Sequence, residues 1–363
     1  MKKLILVFGL IVLFLPWGAR ASEFIPEEIP QQDFFKAKIL SIPENLSDEA
    51  QVEVLSGSEK GQTITISLPQ NESEAYQFEI GDTVIVTKVA GYSGDLYYLT
   101  DRYRLPSLYW ILGLFMVFIL IFGRFRGLMS LFGLAVTVAV IMLFVIPRIL
   151  AGDSPILITI LGSVVILFFS IYLAHGFHWR TSVAVGGTVL SLAITAGLAT
   201  AFVHFGELFG LGSEEVMSLQ ATTLANIDFR GLLLGGMILG TLGVLDDITT
   251  AQSAAIEQLK IANHTFGFWE LYKRGLAIGK EHITSLVNTL FLAYAGASLP
   301  VFLFFTVIPD VPAWVHLNSE FIAEEIVRTL VGSVGLILAV PITTLLAAYV
   351  FTRKTWAQQQ SVS

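Results

Sequence analysis

From Pro106 to the C-terminus the chain is a succession of apolar runs, each long enough to cross a lipid bilayer. They lie at roughly 106 to 123, 128 to 147, 155 to 174, 181 to 204, 231 to 254, 283 to 308 and 327 to 351. A span of about 20 residues must satisfy its backbone polar groups internally, so this region can only be a helical bundle. Composition agrees. Hydrophobic residues make up 54% of the 363 and charged residues 14%, too few charges for a water-soluble chain of this size. With no cysteine, disulfides, thiolate metal sites and a Cys nucleophile are excluded.

The N-terminus reads as an export signal. Lys2 and Lys3 precede the apolar stretch LILVFGLIVLFLPW, and ARA before Ser22 fits cleavage after Ala21; uncut, residues 1–21 would be a signal anchor. Residues 22–104 then form the one soluble domain, outside the membrane. Five short runs separated by turn signals predict strands at 34–42, 50–56, 61–68, 82–89 and 95–103, a small all-β domain resembling an OB-like barrel. It carries 15 Asp plus Glu against 6 Lys plus Arg, a balance that repels nucleic acid. The fold class is therefore an α-helical multi-pass membrane bundle, seven spans after a signal sequence, with a small external β-domain. Residues 105–354 make the transmembrane domain and 355–363 a cytoplasmic tail.

Basic residues orient the bundle. With the β-domain outside, the cytoplasmic connections hold Arg124, Arg126, Arg180, Lys260, Lys273, Arg274, Lys280, Arg353 and Lys354, and the outer ones Arg148, Arg230 and Arg328. Nine against three obeys the positive-inside rule.

Into this apolar setting the stretch GTLGVLDDITTAQSAAIEQL puts two adjacent acids, Asp246 and Asp247. Counted from Gly231 they lie roughly 22 Å along a helix, in the inner part of the bilayer unless the hydrocarbon ends there and they cap the helix. Gly236, Gly240, Gly243 and Asp247 share a face at i, i+4, i+7 and i+11, which predicts helix packing along the glycines. Asp246, Thr250, Ser253 and Glu257 form a polar stripe beside it. Acids near a helix C-terminal end oppose the macrodipole, which argues against capping. Partners at a similar depth are Glu281, Ser285 and Asn288 on one face of the span from 283, and Thr343 and Thr344 after Pro341 in the last one. Pro341 also frees backbone carbonyls there. Intramembrane acids with such neighbours are candidates for proton relay or cation coordination, with Asp246, Asp247, Thr250, Gln252, Ser285, Asn288 and Thr344 as the coupling residues.

The stretch ANIDFRGLLLGGMILGTLGVLDDITTAQSAAIEQL, 225–259, resembles the YibE/F family of bacterial multi-pass membrane proteins, in its glycine-rich helix, paired acids, and the Thr and Gln after them. That resemblance implies a bacterial plasma-membrane protein and no particular reaction. A related subunit is implied as a partner, since the family name joins two proteins; a homo-oligomer is the alternative. A second resemblance, over 231–352, is to the last three helices of SecD/SecF and RND-type exporters, in which an intramembrane acid relays protons. It implies the same role for the Asp pair.

Other patterns read as structural. His175 and His178 in HGFHWR, with Trp179, suit an interfacial anchor better than a metal site, and His264 and His282 are isolated. The acidic stretches GSEEVMSLQ and NSEFIAEEI read as solvated loops. An aspartyl protease would need its two acids on different helices. No Walker motif, HExxH or GxSxG occurs, so neither an enzyme nor a cofactor is expected. The expected function is a membrane transporter or export-assisting protein coupled to protons or cations, its substrate unspecified. The alternatives are a non-transport anchor or receptor whose β-domain binds a partner, and one subunit of a two-protein transporter.

Overall fold

A computed structural model describes residues 32–42, 49–68, 78–91, 94–221, 227–300, 302–303 and 311–353. The signal segment and the tail beyond Arg353 lie outside the described residues. The chain forms two compact units that divide between Ile121 and Phe122.

The first unit contains five strands, β1 (Gln32–Ser41), β2 (Glu49–Val54), β3 (Thr63–Ser67), β4 (Thr83–Gly91) and β5 (Gly94–Arg102). All five predicted strands are present. They close into a barrel in the order β1-β2-β3-β5-β4, with β3 and β5 parallel and β1 pairing β4, which is the OB-like strand order. Period-2 alternation sends Phe35, Ala37 and Ile39 of β1 inward to meet Val52, Val54, Ile66, Val84, Val86 and Leu99, all buried. A polar cluster sits beside this core. Lys88 Nζ donates to Glu59 Oε1 at 2.6 Å and pairs with Asp95 at 2.7 Å, while Tyr97 donates to Glu59 Oε2 at 2.9 Å. The Lys88 hydrogen bond holds the Glu59 carboxyl below its usual range, and the Asp95 and Glu59 carboxylates raise Lys88.

The strands lead into helix α1, Leu105–Leu150, which runs through two predicted spans and leaves helical geometry at Arg124 (φ 49, ψ −131). Before Pro147, which has no N–H to give, the backbone widens into a π-turn over Ile141–Val145. The helices that follow are α2 (Pro155–His175), α3 (Trp179–Phe205), α4 (Glu214–Ala221), α5 (Phe229–Ala262), α6 (Phe268–Ala297), α7 (Ala313–Leu317) and α8 (Glu320–Arg353). Among the described residues five helices are long and apolar enough to cross a membrane: α1, α2, α3, α5 and α8. Two of the seven predicted spans are thus assigned to one helix, α1. The predicted span at 283–308 falls partly in α6, which also takes in the basic stretch from Phe268 as one continuous helix, and partly on residues outside the description.

Helices α3, α5 and α8 pack against one another; α2 and α6 flank α5. The antiparallel α3/α8 contact is locked by two reciprocal notches. A Cβ on Gly335 of α8 would lie 3.1 Å from Thr195 Cγ2 of α3, and a Cβ on Gly187 of α3 would lie 3.2 Å from Thr343 Cβ of α8, with the hydroxyls closer still. Each threonine therefore needs a glycine opposite.

The acidic stretches predicted as solvated loops are helical. GSEEVMSLQ contributes α4, and NSEFIAEEI opens α8. The first turns of α8 clasp the chain after α3: Glu320 Oε1 accepts from Phe209 N at 2.6 Å, and Glu324 Oε1 from Gly212 N at 3.1 Å. Arg230 Nε donates to Leu208 O at 2.8 Å. These backbone N–H groups would otherwise go unpaired, which is why Glu324 is buried. At the other end of the bundle Lys260, also buried, donates to His264 O and Phe266 O at 2.7 and 2.8 Å, holding the turn between α5 and α6.

Candidate functional site

Helix α5 begins at a capped N-terminus, where Asp228 Oδ1 accepts from Gly231 N at 2.9 Å. It then carries its polar residues on two faces. On one, Asp246 is half-buried and its Oδ2 accepts the Ser170 hydroxyl of α2 at 2.9 Å. Further along that face Ser253 donates to Arg180 O at 2.8 Å, and Glu257 lies 3.7 Å from the Arg180 guanidinium. The predicted stripe Asp246, Thr250, Ser253 and Glu257 thus has real partners, supplied by α2 and the first turn of α3. Asp247 is exposed and sits within electrostatic range of His175 at the end of α2.

The other face is buried. Gln252 is fully enclosed; its amide nitrogen donates to Gly275 O of α6 and to Thr344 Oγ1 of α8, both at 2.7 Å. Thr344 in turn donates to Val340 O at 2.6 Å. Gln252 Oε1 and Thr343 Oγ1 have no partner among the described residues. One turn earlier, the Thr188 and Thr249 hydroxyls share a hydrogen bond of 2.6 Å between α3 and α5. A polar layer therefore joins α3, α5, α6 and α8 near the acids.

Of the predicted coupling residues, Gln252 and Thr344 are in direct contact, while Thr250 donates to Asp247 O at 3.1 Å. Ser285 and Asn288 are exposed on α6, and neither side chain is hydrogen-bonded to the acids in the arrangement just described. The glycine stripe is corrected. Gly236 and Gly243 face open space, and a Cβ on Gly240 would meet only the Tyr294 hydroxyl, at 2.9 Å. The close approach on α5 is made one residue earlier: a Cβ on Gly235 would lie 2.7 Å from Thr159 Oγ1 of α2. Ser170 was not among the predicted residues. Its signal was present in the sequence, since Thr159, Ser163 and Ser170 occupy one face of an otherwise apolar helix at i, i+4 and i+11. Among the described residues no three His, Asp or Glu side chains form a group that could hold a metal ion.

The family model for YibE/F-like proteins matches residues 111–353, about two thirds of the chain and every helix from α2 to α8. The chain belongs to the YibE/F family. Both acids, Ser170 and the polar layer fall inside the YibE/F match, and the β-barrel falls outside it. No curated protein and no solved structure matches the chain.

Proposed function

We propose that this YibE/F protein is a membrane transporter or export-assisting protein coupled to protons or small cations through Asp246 and Asp247. The observation that carries the reading is the hydrogen bond from Ser170 to Asp246. It holds one carboxylate between two largely apolar helices, a setting in which an ionisable side chain is costly and marks an ion or proton pathway. Adjacent Asp247 stays open, and the buried layer of Gln252, Thr249, Thr188 and Thr344 lies within two turns. The resemblance of 231–352 to the last helices of SecD/SecF and RND-type exporters supports the same role.

The proposed orientation in the bacterial plasma membrane has the β-domain outside and the C-terminus in the cytoplasm, with residues 1–21 as signal and seven spans. Arg180 meets α5 near Glu257, at the end of the bundle that also holds Lys260; Arg230 lies with Leu208 at the opposite end. This grouping fits the positive-inside assignment.

A second reading, one subunit of a two-protein or homo-oligomeric transporter, is favoured by the open space in front of Gly236 and Gly243, where a further helix can approach. The anchor or receptor reading, with the β-domain as its binding part, assigns the acids to helix association alone. Proton and cation flux into liposomes holding the purified protein separates these. Asp246→Asn with Asp247→Asn should abolish flux and leave the folded yield near normal; full flux in the double variant refutes coupling.

A further inference from the structure

Where α2 ends and α3 begins, a cavity of about 320 Å³ opens between α2, α3 and α5. Its walls are His175, the first-turn residues Arg180 and Thr181, Thr250, and the small side chains Ala184, Ala251 and Ala254. One water needs about 10–15 Å³ of such space, so the cavity holds many. Thr181 is 2% exposed and its hydroxyl has no protein partner. That oxygen is closed off from the cavity, so the polar groups facing the space come from His175, Arg180 and Thr250.

The charges on the walls select what else can enter. The one permanent charge on the walls, Arg180, is offset by Glu257 at 3.7 Å, and around His175 the charges of Arg180 and Arg126 are countered in part by Asp247. The cavity borders the acid pair through His175, which lines it and interacts electrostatically with Asp247, and through Thr250, one turn after Asp247 on α5.

We propose that this cavity is a hydrated vestibule through which protons or small monovalent cations reach Asp247 from the Arg180 end of the bundle. The transported-ion part rests on the coupling role given to the acids above; the presence of water does not.

The chain has no cysteine, so an introduced thiol reports alone. Ala251→Cys and Ala254→Cys, in sealed vesicles of each orientation, are exposed to a charged, membrane-impermeant methanethiosulfonate. A thiol reacts as its thiolate, which forms in water and not in lipid, so both should label on the order of tenfold faster than the outward-facing apolar control Leu190→Cys. Labelling should occur only from the side bearing Arg180. Adding Ala254→Trp to Ala251→Cys fills the space and should return labelling to the control rate, with thermal unfolding and gel filtration showing that the variant is folded. Labelling of Ala251→Cys at the Leu190→Cys rate, or from the opposite side, overturns the vestibule, and an acyl chain in the cavity would give that slow rate. Fast labelling together with flux that survives Asp247→Asn would uphold the vestibule and refute the coupling reading.

Discussion

Ser170 of α2 donates a hydrogen bond to Asp246 Oδ2 of α5 at 2.9 Å, tying a flanking helix to the central one through the residue proposed to carry charge. Ser170→Ala removes one hydrogen bond, a loss of about 1 kcal/mol. The expected result is a small drop in thermal stability in detergent together with a displaced pH profile of flux. A stability change with an unaltered profile would reduce Ser170 to a structural role.

Gln252 gives a sharper stability test, because its amide makes two hydrogen bonds with nitrogen and none with oxygen. Gln252→Ala opens a cavity in a fully buried layer and should cost about 2–4 kcal/mol. Gln252→Leu keeps the volume and removes the unpaired oxygen but takes the donor from the Gly275 carbonyl, so it should cost about 1–3 kcal/mol. Chemical unfolding of both variants checks this; equal losses would mean that the amide nitrogen's bonds dominate.

At the α3/α8 contact, Gly335→Leu drives a branched side chain into Thr195 and should destabilise by about 1–3 kcal/mol or more. Gly236→Leu, facing open space, should be tolerated in the monomer. If Gly236→Leu instead dissociates a larger species in gel filtration, the open face of α5 is an interface.

The β-domain should fold alone as residues 30–104, and its stability should fall at both ends of the pH scale. Glu59 has a lowered pKa, so its contribution is complete above the ordinary value of 4.5 and is lost as pH falls through the lower folded value. Lys88 has a raised pKa, so its contribution is complete below 10.5 and is lost as pH rises through the higher folded value. Urea titrations across pH should show both limbs, and Glu59→Gln should flatten the acid one. An unchanged acid limb would assign it to other carboxylates.

Topology follows from the basic residues. Tags at Ser363 and in the 261–280 segment should be reachable only from the cytoplasm, and Ser73→Cys should label from outside. Labelling of Ser363 from outside reverses the orientation.

What the sequence made legible was whatever a single helix or strand decides by its own periodicity. All five strands could be read because alternation and turn residues act locally, and Asp246 and Asp247 stood out against an apolar run. The residue across from an acid was harder to find, because spacing selects a face without saying which neighbour covers it. Helix α5 has two glycine-bearing faces one residue apart, and the packed one is Gly231 and Gly235, while Gly236 and Gly243 are left open. Ser285 and Asn288 share depth with the acids but face out of the bundle, since α6 turns Leu271, Gly275, Gly279 and Leu290 inward. The acidic opening of α8 misled for a related reason: Glu320 and Glu324 answer to backbone N–H groups more than a hundred residues away in sequence.

The paired Gly–Thr notches between α3 and α8 bear on how such a bundle can work. Thr195 faces Gly335 and Thr343 faces Gly187, and each pairing sets the same antiparallel register. Sliding α8 by one residue would bring Thr195 against Val334 or Leu336 in place of Gly335, so the register of the two helices is held by these notches. On the transport reading proposed above, α3 and α8 stay fixed relative to each other. Helix α6 is held to the same pair, since a Cβ on Gly275 would lie 2.8 Å from Thr344 Cγ2 of α8, whereas α2 reaches α5 through Ser170.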